Sequence, residues 1–157
     1  AYFVVLFPRL RDEKSPRFET AGKGHIVRVQ GDFGTDYVFL AGERTVERDG
    51  EVSFEGTVGS VQDRTDGLVL NLGAEGSVRY RQRAIRADGA VALRRQRDGG
   101  VRLNLPSDHE GTRVGITLPH AHRLAPDTPE TVSLAFRDGA HILTIPAGVT
   151  ALNFRIR

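Results

Sequence analysis

The residues of this chain best suited to chemistry are histidines spaced two apart. His120-Ala121-His122 follows Asp108 and His109 by a few residues. In an extended segment, positions i and i+2 project to one side, so two imidazoles could share a metal ion, with His109 as a further weak candidate. The pair lies on residues 119–130 (PHAHRLAPDTPE), a stretch with three prolines. Two ligands on a proline-rich loop close no coordination sphere. Solvated or locally hydrogen-bonded histidines are therefore the expected reading, with no metal and no other cofactor.

Cupin-like jelly rolls offer the comparison for an HxH pair, which they follow closely with a Glu. Here the nearest downstream carboxylates are Asp127 and Glu130. Pro146-Ala147-Gly148 imitates the turn of the second cupin motif, but Ala151 stands where its histidine belongs. A small metal-dependent jelly-roll enzyme is the alternative that His120, His122 and His109 keep open. Nucleophilic catalysis has less to build on, because Ser60, Ser77, Ser107 and Ser133 lack a GxSxG context and cysteine is absent. Asp32 and Asp36 form a spaced carboxylate pair, yet an Asp in a glycine-rich stretch is foremost a turn former. Gly22-Lys23-Gly24 is too short for a phosphate loop. No catalytic residue is assigned.

Arginine is more informative. Lys14 and Lys23 are the only lysines, so 20 of the 22 cations are Arg. Eight fall between residues 79 and 102. Arg79, Arg81 and Arg83 alternate with Tyr80 and Gln82, which places all three on one face of one expected strand. At a rise of ~3.4 Å per residue they stand about 7 Å apart. Such a row suits carboxylate or sulfate groups along an anionic glycan. The competing reading is a solvated face whose arginines pair with carboxylates of neighbouring strands. Nucleic acid fits poorly, since single-strand binders interleave basic residues with exposed aromatics and only Tyr80 lies here.

The chain that must position these groups has 157 residues, 39% hydrophobic and 27% charged, with a formal charge of only +2. That suits one globular domain with a proper core. No apolar run is long enough to span a bilayer as a helix, and no membrane partner is expected. The absence of cysteine excludes a disulfide scaffold.

Five Asp-Gly pairs punctuate the sequence, at 49–50, 66–67, 88–89, 98–99 and 138–139. Asp-Gly favours the positive φ angles of tight hairpins, and the flanking runs alternate apolar and polar residues. Twelve short strands are expected, near 2–7, 25–30, 35–41, 51–62, 67–72, 77–86, 90–96, 101–105, 112–118, 131–136, 140–145 and 149–156. Residues 8–24 and 119–130 read as surface connections. The fold class is all-β, an antiparallel two-sheet sandwich of jelly-roll type, as one domain over residues 1–157. The first segment (AYFVVLF) is apolar on both faces, which suggests a strand torn from a larger chain.

The succession of motifs resembles a known family. Residues 2–8 (YFVVLFP), a charged loop, residues 25–40 (HIVRVQGDFGTDYVFL) and residues 52–58 (VSFEGTV) are similar to the C-terminal β-sandwich region of heparinase II/III-like polysaccharide lyases. The likeness covers mainly residues 2–72. It implies a carbohydrate-active parent, secreted or periplasmic, whose catalytic domain lies upstream. That family's catalytic residues and metal ligands match nothing here. The resulting expectation is a non-catalytic domain that packs on the catalytic domain of the same chain and contacts anionic polysaccharide. A structural adhesion or assembly module is a further alternative.

Overall fold

The computed structural model describes residues 12, 14–119, 124–126 and 132–156. The expected strand at 2–7, and His120 and His122, lie outside these residues. Within them the chain is all-β, as expected, and every strand pairing is antiparallel. The strands are β1 (Arg17–Ala21), β2 (Ile26–Gly31), β3 (Gly34–Asp49), β4 (Val52–Arg64), β5 (Gly67–Leu72), β6 (Gly76–Tyr80) and β7 (Arg83–Ala87). They continue as β8 (Val91–Gln96), β9 (Gly100–Asn104), β10 (Gly111–Thr117), β11 (Leu124–Pro126), β12 (Ser133–Arg137), β13 (Ala140–Pro146) and β14 (Ala151–Ile156).

Local chemistry accounts for most of the connections. Asp138 and Gly139 form a two-residue hairpin between β12 and β13, both with positive φ (51° and 77°). That is the backbone a tight turn matching strand twist requires. Gly50 and Asp66 likewise stand in two-residue turns, while Asp98-Gly99 sits in a longer one. Asp88-Gly89 is different. It joins β7 to β8, which are not neighbours, and so marks a crossover rather than a hairpin.

Three expectations about connections need correction. Residues 119–130 were expected to be a surface connection, yet β11 lies within them and pairs with β14. Residues 8–24 were expected to be loop, yet β1 lies there and pairs with β2 along the sheet edge. Its sequence (RFETA) has no apolar alternation to announce it. Residues 77–86 were expected to form one strand, but Arg81 and Gln82 turn the chain between β6 and β7, with Arg81 at φ 54°. The apolar residues carry the mark of that turn. Val78 and Tyr80 are buried at even positions and Ile85 and Ala87 at odd ones, so one flat strand could not bury them all.

The hydrogen bonds draw one continuous curled sheet rather than two separate ones. β4 is its seam. One edge of β4 pairs with β3, and the other is divided. Residues 59–64 bond to β5, whereas residues 52–55 bond to β6. From that fork one branch runs β5-β8-β9-β14-β11 and the other β6-β7-β10-β13-β12. A register shift in the β3–β4 ladder lies at the same level, between Leu40 and Thr45. Burial along β4 changes parity there, from Val52 and Phe54 to Gly59 and Val61. An irregularity that bends a paired strand is the usual means of curling a sheet.

Both branches feed one core. Leu70, Leu93, Leu103 and Leu152 come from the first, and Val78, Ile85, Ile116 and Leu143 from the second. Phe39 and Phe54 stack beside the fork, with centroids 4.9 Å apart and planes 5° from parallel. Fully burying one such side chain contributes about 1.5–3 kcal/mol, so this cluster supplies the dominant stabilising term.

Candidate anion-binding surface

The fold separates the three arginines that the sequence aligns. Arg79 is exposed on the outer face of β6. Arg81 occupies the turn, where its backbone N–H donates to Glu51 O at 2.8 Å. Its guanidinium bonds Glu51 Oε1 at 2.9 Å, reaches Asp63 Oδ2 at 3.4 Å and lies over the Tyr80 ring. Arg83 opens β7 on the far side of the turn, half-buried. There is no row on one strand, and the side chains serve three different places.

Arg79 belongs to a trough across the outer face of the second branch. Cross-strand register lines up Arg48, Ser53, Arg79, Ala84 and Thr117, and beside them Glu55, Ser77, Arg86, Gly115 and Ile142. Small residues at Ser53, Ser77, Ala84, Gly115 and Ala140 leave the face hollow. Three depressions of about 300, 260 and 490 Å³ run together. The first two share Arg86, Gly115 and Ile142, and the last two share Ser53 and Arg79.

Charge along this trough is unbalanced. Glu55 and Glu75 are both held by Arg44, at 2.7 and 2.5 Å, and Glu51 is held by Arg81. Arg44 keeps the Glu55 carboxyl below the usual carboxylate range. Asp88 spends one oxygen on the backbone N–H of Arg113 at 2.9 Å. Arg48, Arg79, Arg86 and Arg113 form no ion pair among the described residues.

A second basic feature lies past Arg81, where a cleft of about 360 Å³ opens at one end of the core. Asp63, Tyr80, Arg81, Arg83, Arg95 and Arg97 contribute to its walls. Asp63, Leu68 and Arg95 are in register across β4, β5 and β8, and buried Leu68 belongs to the core. Tyr80 donates to Asp63 Oδ2 at 2.8 Å. Burial and that carboxylate together push the Tyr80 phenol well above its usual range. The Nε atoms of Arg83 and Arg95 are buried and lack a hydrogen-bond partner among the described residues. A buried donor left unsatisfied costs about 1–3 kcal/mol. Burial first, and then the neighbouring charge of Arg95, lower the pKa of Arg83.

Other titratable groups are committed to the fold. His109 donates from Nε2 to Val149 O at 3.0 Å and accepts at Nδ1 from Gly111 N–H at 3.2 Å. Metal ligation there would have to break one of these bonds. No group of three His, Cys, Asp or Glu among the described residues is placed to hold a metal. Asp32 lies in the β2–β3 turn, as expected of it, and Asp36 is buried on β3 and clamped by Arg64 Nε and Nη2 at 3.1 and 2.5 Å. Glu47, 3% exposed, accepts from His25 Nδ1 at 2.9 Å and from Lys23 N–H at 3.1 Å. This pair pins the β1–β2 turn to β3, and nothing in the sequence pattern singles it out. Arg48, Arg86, Arg95 and Arg113 were equally hidden as site residues, because cross-strand register brings them together.

Comparisons with known protein families, with curated proteins and with solved structures each find no match.

Proposed function

We propose that this chain is a non-catalytic β-sandwich domain of a polysaccharide-degrading, lyase-like protein, and that it holds anionic glycan along the outer trough. The curled sheet is read here as a jelly-roll-like sandwich whose halves stay joined at β4. One observation carries the binding role: Arg48, Arg79, Arg86 and Arg113 line an open, small-residue channel and form no ion pair among the described residues. Neighbouring strands are ~4.8 Å apart, so Arg48 and Arg79, two strands apart, stand about 10 Å from each other. That spacing suits acid groups repeated along an extended chain better than a single small anion. Planar guanidiniums take carboxylate and sulfate in two parallel hydrogen bonds.

Packing on a catalytic domain rests on the motif order and on exposed apolar side chains near the fork. Leu40 and Val58 face each other across β3 and β4 and are 44% and 37% exposed.

Chromatography on immobilised heparin tests the glycan role. The wild-type domain is expected to be retained at low ionic strength and to elute early in a salt gradient, because exposed pairs are screened. Replacing Arg48, Arg79, Arg86 and Arg113 together with Gln should move elution to markedly lower salt while the melting temperature holds. Equal retention of the two proteins would overturn the reading.

A further inference from the structure

We propose that the cleft at the open end of the core is a separate site for one compact tetrahedral oxyanion, sulfate or phosphate, held chiefly by Arg83 and Arg95. The charge balance inside the cleft points to an anion. Arg64 is matched by Asp36, and Arg81 by Glu51 and Asp63. Arg83, Arg95 and Arg97 form no ion pair among the described residues, and the Asp63 carboxylate acts on Arg83 only at longer range. Asp63, the only carboxylate in the wall among the described residues, already accepts from Tyr80 and is ion-paired with Arg81 at 3.4 Å.

The two buried Nε–H groups sharpen the case. Among the described residues, Arg28 has an unpartnered Nε too, but its Nη2 is bonded to Glu19. Arg83 and Arg95 instead bring two like charges into one cleft with donors unmet. Desolvating these Nε–H groups without an acceptor raises the cost of holding both charges here, and one oxyanion on the cleft side of the two guanidiniums offsets that cost with several lone pairs. Size agrees as well. A cleft of about 360 Å³ compares with about 30 Å³ for a water molecule in the liquid, so a tetrahedral ion fits with part of its hydration. Burial of Arg83 lowers its pKa, which an anion would reverse.

This site does not depend on the glycan trough. Weaker heparin retention in the four-arginine trough variant leaves it untouched, because none of those residues lines the cleft.

The test is titration of the wild-type protein with sodium sulfate at constant ionic strength, following the arginine Nε–H resonances by NMR. Two of these signals are expected to shift saturably, and they should be absent from the spectra of Arg83→Gln and Arg95→Gln respectively. Thermal melts give the second readout. Sulfate should raise the melting temperature of wild type and of Arg79→Gln along a saturating curve, as binding to the native state requires. In Arg95→Gln at least half of that rise should be lost, while the melting temperature without sulfate holds. A sulfated disaccharide run beside its desulfated counterpart identifies the source. Shifts of the same resonances by the sulfated form alone assign the site to a glycan ester, and shifts by inorganic sulfate but not the disaccharide assign it to the free ion. An equal, unsaturating rise in all variants would be general salt exclusion and would overturn the proposal. So would static Nε–H resonances in wild type, which decide the matter even where a variant fails to fold.

Discussion

The Tyr80 hydroxyl donates to Asp63 Oδ2 at 2.8 Å, and this single bond ties the end of the hydrophobic core to the arginine cleft. Tyr80 is 2% exposed and packs its ring 5.9 Å from that of Tyr37. Tyr80→Phe keeps the ring and removes the bond. A loss of about 0.5–1.5 kcal/mol is expected, read as a lower urea midpoint at unchanged slope. The pH dependence has a defined sign. The phenol is held above its unfolded value, so its contribution is complete below about pH 10 and is lost as pH climbs beyond. Wild type should weaken in that alkaline range more than Tyr80→Phe does.

Glu47 acts at the opposite end of the pH scale. Its bond from His25 outweighs burial and holds the carboxyl below its ordinary value. Stability from a depressed carboxyl is complete above the unfolded value, near pH 4.3, and is lost as pH falls through the folded one. Glu47→Gln should cost about 1–3 kcal/mol at neutral pH by leaving buried bonds poorly matched. Its unfolding midpoint should then change less than that of wild type between pH 6 and pH 3.

Arg79 and Arg81 should separate cleanly, although they are two residues apart. Arg79→Gln should leave stability within about 0.5 kcal/mol of wild type, as exposed substitutions without partners do. Arg81→Gln should cost up to about 1 kcal/mol through Glu51 and Asp63, and high salt should shrink the difference. Denaturation at 50 mM and 1 M salt reads both. A larger loss for Arg79→Gln would contradict the trough geometry.

Two glycines make a steric control. A Cβ on Gly76 would collide with the backbone oxygen of Glu55 across the β4–β6 ladder, where no flexible side chain can yield. Gly76→Ala should cost about 1–3 kcal/mol. A Cβ on Gly42 meets nothing within 4 Å, so Gly42→Ala should be neutral or stabilising by about 0.4–1 kcal/mol. The melting temperature should fall for Gly76→Ala and stay level or rise for Gly42→Ala.

Much of the strand pattern was legible because alternation and turn chemistry act over a few residues. Residues 67–72 and the Asp138-Gly139 hairpin follow from local preference, and the structure agrees. Arg81-Gln82 misled because neither residue favours positive φ. The turn is imposed from outside, by Glu51 and by the burial of Tyr80 on one side and Ile85 on the other. The candidate site was scarcely legible. Arg48, Arg79, Arg86 and Arg113 meet only through the register of five strands, and Arg95 reaches the cleft through its alignment with Leu68. Such alignment depends on the global pairing order, which no short window of sequence contains.

The divided edge of β4 has a consequence for how the domain comes apart. Each branch takes its template from the same strand, so neither can detach as an independent foldon while the other remains whole. The amides of residues 52–64 should then be released only by global opening, whereas β1 and β12, at the rims, should fray long before. Folding should run in the other order: the β3–β4 hairpin pairs residues close in sequence, whereas the β7–β10 and β9–β14 ladders close longer loops, so those non-local pairings are expected to limit the rate.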